Sequence, residues 1–386
     1  MASRRAIVLD DDPDITGVHA TVLEAMGFEC SVHHSFASLV DAPLEDFDLM
    51  TLDLAMPGRD GLEVIDYLAD RQITMPILLV SGMPDNVLHS VESVARHRGL
   101  NVAGAMRKPF WPEQLGKRVE AIMKAPKAHL LSNEQIDQLL DQTGGLVVEY
   151  LPQVHIKWHR YEGLQAHARL RHPEHGLIQP ADFLPQLMRT DLKKKLSKKV
   201  VLRVLSDMQS WLDWDISPSV SINLGAPCLT DDSIIAHLVE AAAKFDVSLD
   251  RLRVEVADLL PTRVTSEVLR GMTRLRIKNV GVSMAGINGA APSETFLRSL
   301  PIDEIKVDQS LVSRFESERK AEAVAERIVA LSKTLQLQTV AQGVESPEQL
   351  KVIAELGFDV AQGPLFGKPR GAVQVPQLLS SKPRAY

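Results

Sequence analysis

Short runs of apolar residues, each stopping abruptly at a polar one, recur along the chain and set its organisation. In the first third they span 6–9, 29–33, 48–52, 76–80 and 102–106, and four of them end at Asp10, Asp53, Ser81 and the segment Arg107-Lys-Pro109. Strands that are apolar on both faces belong to buried parallel sheets. Between them, apolar residues at helical spacing predict helices over 14–26, 61–70, 84–97 and 111–124. This alternation predicts an α/β fold with a doubly wound parallel sheet of five strands, its chemistry placed at the strands' carboxyl ends.

The pattern restarts after Ala125-Pro-Lys-Ala-His129, which breaks the helical spacing, and Ser132-Asn-Glu-Gln135 reads as the capped start of a new helix. Strands are predicted at 146–154 and 161–170, joined by a short turn, and then at 220–224, 253–256, 281–284, 304–307, 338–341 and 358–361. Helices are predicted between them over 191–212, 231–245, 262–277, 317–335 and 347–356. Eight strands with intervening helices in about 250 residues predict a (β/α)8 barrel whose first hairpin is its irregularity. The expected organisation is a first domain over 1–124, a linker over 125–131 and a barrel over 132–386.

Composition narrows the function classes. With 45% hydrophobic and 24% charged residues among 386, the chain is expected to fold as two globular domains. A net charge of −7 supplies no overall field for nucleic acid or anionic membrane, so neither is an expected partner. Cys30 and Cys228 read as small buried residues of a reducing compartment. The N-terminal stretch is too short in apolar residues for a signal peptide, and no run approaches the ~18 apolar residues of a membrane span, so the expected location is cytoplasmic.

At the strand ends of the first domain stand Asp10, Asp11, Asp53, Ser81 and Lys108. Carboxylates brought together repel one another and call for a divalent cation, and oxygen-only ligands suit Mg²⁺. A carboxylate beside Mg²⁺ is a competent nucleophile toward a phosphoryl group, while a lysine and a hydroxyl hold its oxygens. The segments Leu9-Asp-Asp-Asp-Pro13, Leu52-Asp-Leu-Ala-Met-Pro-Gly58 with Asp60-Gly61, Leu79-Val-Ser-Gly82 and Arg107-Lys-Pro-Phe110 resemble the CheY-like receiver domain of two-component response regulators. The resemblance implies Asp53 as phosphoacceptor and Asp10, Asp11 and Asp53 as Mg²⁺ ligands. It further implies phosphoryl contacts from Ser81 and Lys108, a cis Pro109, and a sensor histidine kinase or phosphotransfer protein as donor. Ala105 stands where the family usually carries a switching aromatic.

In the second domain, Arg169-Leu-Arg-His-Pro173, Ser221-Ile-Asn-Leu224, Val254-Glu255, Leu300-Pro-Ile-Asp-Glu-Ile-Lys-Val-Asp308, Ala341-Gln-Gly-Val-Glu345 and Gln362-Gly363 resemble the EAL family of cyclic di-GMP phosphodiesterases. The resemblance implies a residual pocket of Arg169, Asn223, Glu255, Lys306, Asp308, Glu345 and Gln362. Arg169 either clamps a phosphate or closes a rim salt bridge. The departures fall on the chemistry. Gln165-Ala-His167 replaces the Glu-Ala-Leu motif, Ala285-Gly-Ile-Asn288 replaces the paired aspartates, Gln342 replaces a glutamate, and Met188 replaces the acid ending another motif.

Family hydrolysis depends on two divalent ions held by anionic oxygens, so the expected barrel is catalytically empty and without a cofactor. Its expected output is binding, either of a protein partner or of cyclic di-GMP as effector. The small residues over 285–291 are expected to form an apolar surface that favours a protein, and a homodimer is a further expected state. The alternative is an active phosphodiesterase with non-standard metal ligands. The basic run Lys193-Lys-Lys195 with Lys198-Lys199 is expected to be a solvated helix face, and His167, His172 and His175 to be rim histidines.

Overall fold

The structure, a computed structural model, describes residues 4–40, 42–56, 61–71, 73–124, 131–187, 191–257, 259–262, 264–381 and 383. Residues 125–130 of the expected linker, together with Gly58, Asp60 and Met188, lie outside the described residues. The chain divides into two compact units, residues 1–133 with 181–189 and residues 134–180 with 190–386.

In the first unit, β1 (Arg4–Leu9), β2 (Phe28–His33), β3 (Leu49–Asp53), β4 (Ile77–Ser81) and β5 (Val102–Arg107) form one parallel sheet in the order β2-β1-β3-β4-β5. The central strands β3 and β4 are buried along their whole length, which is why their sequences lack alternation. One face packs Ile7, Leu52, Val64, Leu79 and Val91; the other packs Val8, Leu23, Leu78, Leu115 and Val119. The order reverses between β1 and β3, so Asp10 and Asp53 emerge at the topological switch point.

The second unit is a closed barrel. β6 (Leu146–His155) pairs antiparallel with β7 (Arg160–His172), and β8 (Gly176–Ile178) extends that hairpin. β9 (Ser219–Asn223), β10 (Leu252–Ala257), β11 (Gly281–Ile287), β12 (Glu304–Val307), β13 (Gln338–Gln342) and β14 (Val360–Gln362) follow as parallel neighbours. β14 closes the ring by pairing antiparallel with β6, onto which β15 (Arg370–Gly371) also adds. Eight strands make the ring, as the pattern predicts, with β8 and β15 as short additions.

Two local differences matter. β11 runs three residues beyond its expected end at Met284, with an irregular register between Met284 and Ile287. The helix expected from 262 begins at Ser266, where the Thr265 side chain caps the Val268 N–H. Among the described residues, no helix is long and apolar enough to cross a membrane.

Candidate functional site

In the first unit the five predicted residues stand at one end of the sheet. Asp10 and Asp53 are almost fully buried, and oxygens of Asp10, Asp11 and Asp53 lie within 4.8 Å of one another. Lys108 Nζ donates to Asp10 Oδ2 at 2.6 Å and to Asp53 Oδ2 at 3.0 Å. The other Asp53 oxygen accepts the Ala55 N–H at 3.2 Å. Buried Ser81 accepts the Met83 N–H through its hydroxyl, and its carbonyl accepts the Lys108 N–H at 2.9 Å. The Lys108–Pro109 peptide is cis.

Burial raises the Asp10 carboxyl above the ordinary aspartate range against the opposing pull of Lys108. Burial alone would lower Lys108, but its hydrogen bonds to Asp10 and Asp53 outweigh that and hold it above the usual lysine value. Three carboxylates offering oxygens from two strand ends fit Mg²⁺, a hard cation that takes oxygen ligands.

One neighbour of this site was not evident in the sequence. His19, buried on the helix Pro13–Ala25, meets Thr51 Oγ1 through Nδ1 at 3.2 Å, while its Nε2 has no partner. Burial, followed by the charge of Lys108, lowers its pKa to about 4. The unfolded chain therefore takes up a proton near the ordinary histidine value that the folded chain refuses until about 4. Stability is full above that ordinary value and falls as pH drops through the window, by about 2 kcal/mol from pH 7 to pH 5. The difference between wild type and His19→Leu in urea unfolding of the first unit should show this slope, and identical pH profiles would refute it.

Elsewhere on β5, Arg118 covers Ala103 and Gly104. Gly104 has φ +142°, and a Cβ there would collide with the Arg118 guanidinium, which donates to the Ala103 carbonyl at 3.2 Å. Ala105 sits beside this bulge, packed on the core.

In the barrel, the residues split into two groups. Gln165, Glu255, Lys306 and Gln362 are joined. Gln165 Nε2 lies 2.8 Å from both Glu255 oxygens, and Lys306 Nζ lies 2.6 Å from Glu255 Oε2. Gln362 Nε2 donates to Gln165 Oε1 at 2.5 Å, and Gln362 Oε1 accepts from Gln153 Nε2 at 2.8 Å. Lys306, wholly buried, also lies 3.7 Å from Glu304, which accepts the Ser283 hydroxyl. The sequence did not single out Gln153, Ser283 and Glu304; their available signal is a polar residue inside a buried strand, with Glu304 two positions before Lys306 on the same face.

Asp308 and Glu345 stand apart from this network. Asp308 caps the following short helix through the Ser310 N–H at 2.8 Å, and Glu345 accepts from Gln309 at 3.1 Å. Asn223 is exposed at its strand end. Arg169 is buried and forms a salt bridge, its Nε 3.2 Å from Glu149 Oε2, although the N–H does not point at that oxygen.

Two expectations are corrected. The apolar surface over 285–291 does not form, because the extended β11 buries Ala285 and Ile287 at 5% exposure each; Gly286 supplies a φ of +84° between them. His167 is not a rim residue: its Nε2 is buried without a partner, and burial, then Arg169 and Lys306, lowers its pKa to about 4. His172 and His175 do stand together at the hairpin end, stacked at 4.5 Å. On the basic helix Lys194 is exposed and Lys195 and Lys199 are half-exposed, Lys195 pairing with Asp137 and Asp141, Lys199 with Asp141 and Lys194 with Asp231.

A parallel sheet with an acidic switch point, followed by a barrel closed by an antiparallel first strand, defines a receiver domain joined to an EAL-type barrel. The EAL domain family matches residues 133–369 and the response regulator receiver domain matches residues 6–120. The chain belongs to the EAL family and carries an N-terminal receiver domain.

Cyclic di-GMP phosphodiesterase RocR of Pseudomonas aeruginosa is 24% identical over 380 residues, covering 96% of this chain and 97% of that protein. Another cyclic di-GMP phosphodiesterase of that organism is 28% identical over 234 residues, or 61% of this chain. The chain spans 40% of the length of that protein, and 34% and 30% of two further relatives. Among solved structures, the PaMucR phosphodiesterase in complex with c-di-GMP is 29% identical with a TM-score of 0.59, covering 63% of this chain and 98% of that one.

Proposed function

We propose that the chain is a phosphorylation-regulated response regulator whose EAL barrel works by binding and does not hydrolyse cyclic di-GMP. The observation that carries this is the state of Glu255, whose two oxygens both accept from Gln165 Nε2 while Lys306 neutralises its charge. An amide and an ammonium take three of the roughly four lone-pair positions that the carboxylate could offer a dication. The remaining donors do not fit a metal pair. Ala285 and Gly286 supply none, Gln342 is neutral, Asp308 is engaged as a helix cap, and among the described residues the barrel gathers no three acidic, imidazole or thiol donors. No catalytic step is assigned to a metal there.

Burial of Ala285 and Ile287 removes the surface that favoured a protein partner, so cyclic di-GMP held as a signal is the first ligand to test. The bound nucleotide of the PaMucR complex supports it. The mouth keeps Asn223, whose amide has no hydrogen-bond partner among the described residues. A protein partner is the output if calorimetry shows no cyclic di-GMP binding at high micromolar concentration.

In the receiver, an Asp53 carboxylate oxygen attacks the phosphorus of a donor such as a kinase phosphohistidine; the P–N bond breaks and the imidazole keeps the electron pair. Mg²⁺, when held by Asp10, Asp11 and Asp53, supplies charge neutralisation. Lys108 is positioned to pair with the new phosphoryl oxygens and the Ser81 hydroxyl to donate to one.

Purified full-length protein incubated with cyclic di-GMP and Mg²⁺ or Mn²⁺ is expected to form no linear dinucleotide above the protein-free rate. Loss of one catalytic-site charge already costs ~10²–10³ in rate. Turnover that Glu255→Ala abolishes would overturn the proposal in favour of the alternative enzyme.

A further inference from the structure

On the flank of the barrel, away from its mouth, lies a cavity of about 740 Å³. Its origin is topological. β6 passes to β7 through a four-residue turn over 156–159 instead of a helix, so this connection leaves the outer wall beside β6 and β14 uncovered. The helix Pro347–Leu356 forms the facing wall.

The lining is strongly cationic in a chain whose net charge is −7. Lys157, Lys333 and Lys351 line the cavity, each exposed and without an ion-pair partner among the described residues. The one acid in the lining, Asp359, already accepts from the Thr339 N–H and hydroxyl at 2.8 Å each. Gly357 takes the left-handed conformation that ends its helix, and a Cβ there would come within 2.7 Å of Lys333 Nζ, so the glycine leaves room for that ammonium.

His155 also lines the cavity. It is 8% exposed, its Nδ1 has no partner, and its ring stacks on Trp158 at 3.9 Å. Leu350, Phe358 and Phe366 supply an apolar floor. A concave site of a few hundred Å³ with an apolar floor and a few convergent polar groups is the usual form of a small-ligand site.

We propose that this flank cavity binds a small organic phosphate, its phosphoryl oxygens among Lys157, Lys333 and Lys351 and its apolar body on Leu350, Phe358 and Phe366. Unpaired ammonium groups favour a phosphate, since charge-assisted hydrogen bonds are about twice as strong as neutral ones. The volume exceeds what an inorganic anion fills, and the floor gives that excess an apolar use. The site is separate from the mouth and does not depend on whether the mouth hydrolyses, binds or ignores cyclic di-GMP.

The test is calorimetry on the full chain carrying Asp53→Asn, without divalent ions, using ADP and pyrophosphate as probes. ADP should bind with one site per chain and roughly tenfold more tightly than pyrophosphate, a difference of about 1.4 kcal/mol. Replacing Lys157, Lys333 and Lys351 together by alanine, or filling the cavity with Ala354→Trp, should weaken ADP by roughly tenfold or more, whereas Arg169→Ala at the mouth should leave it unchanged. Absence of binding by either probe, or ADP binding that survives both cavity variants, would overturn the site. Equal affinity for the two probes would overturn the organic part of the assignment.

Discussion

Replacing Lys306 with methionine should lower the stability of the barrel by about 3–5 kcal/mol, because it leaves the Glu255 carboxylate buried with only an amide against it. Lys306 is wholly buried and Glu255 almost so, and the Nζ–Oε2 distance is 2.6 Å. Neither group can recover water when its partner is removed, so the cost is that of an uncompensated interior charge. Adding Glu255→Gln to Lys306→Met removes the nearer stranded charge, while Glu304 keeps Arg253 and the Ser283 hydroxyl, and should recover more than half of the loss. Urea unfolding of wild type, both single variants and the double variant gives the coupling directly. A single-variant loss below about 1 kcal/mol, the range of exposed pairs, would show that the pair is hydrated.

Substituting Asp53 by asparagine should abolish phosphorylation by acetyl phosphate. The amide keeps the shape of the side chain and loses the nucleophilic oxygen. Intact-mass measurement should show a phosphorylated form of the wild-type chain with Mg²⁺ and none of the variant. Lys108→Ala should retain the nucleophile but remove the cation bridging Asp10 and Asp53, slowing the reaction by roughly a hundredfold. Persistent phosphorylation of Asp53→Asn would move the acceptor to another residue.

How much of this was legible in the sequence depended on what each signal reports. The sheet was readable because β3 and β4 are buried throughout and carry unbroken apolar runs. The acidic cluster was readable because Asp10 and Asp53 follow such runs directly. The inner barrel was harder. The expected pocket grouped Asp308 and Glu345 with Glu255, yet a position just past a strand end leaves a side chain free to turn toward the next helix, as Asp308 does in capping it. Gln153 went unnoticed because it is a single polar residue among apolar neighbours, and only closure of the ring sets it facing Gln362. Glu304 shares a strand face with Lys306 two positions on, a pairing that strand alternation alone could have shown.

The stretch over 285–291 misled for a related reason: small residues read as a loop, whereas Ala285 and Ile287 pack as strand and only Asn288, Gly289 and Ala290 are exposed. Nor did local sequence mark His19 or His167 as buried. Their surroundings come from elements distant along the chain: Thr51 meets the His19 ring, and the charge of Lys306 acts on His167.

The antiparallel seam between β6 and β14 has a consequence for biosynthesis. Its two strands lie at opposite ends of the barrel sequence, and Gln153 and Gln362, directly paired across it, are 209 positions apart. During translation β6 and its hairpin partner therefore emerge long before the strand that completes the ring, and β6 keeps an unpaired edge until residues 360–362 leave the ribosome. The receiver, made first, can fold while the barrel still waits for its last strand. A nascent chain stalled before residue 360 should accordingly be sensitive to protease in the barrel and resistant in the receiver.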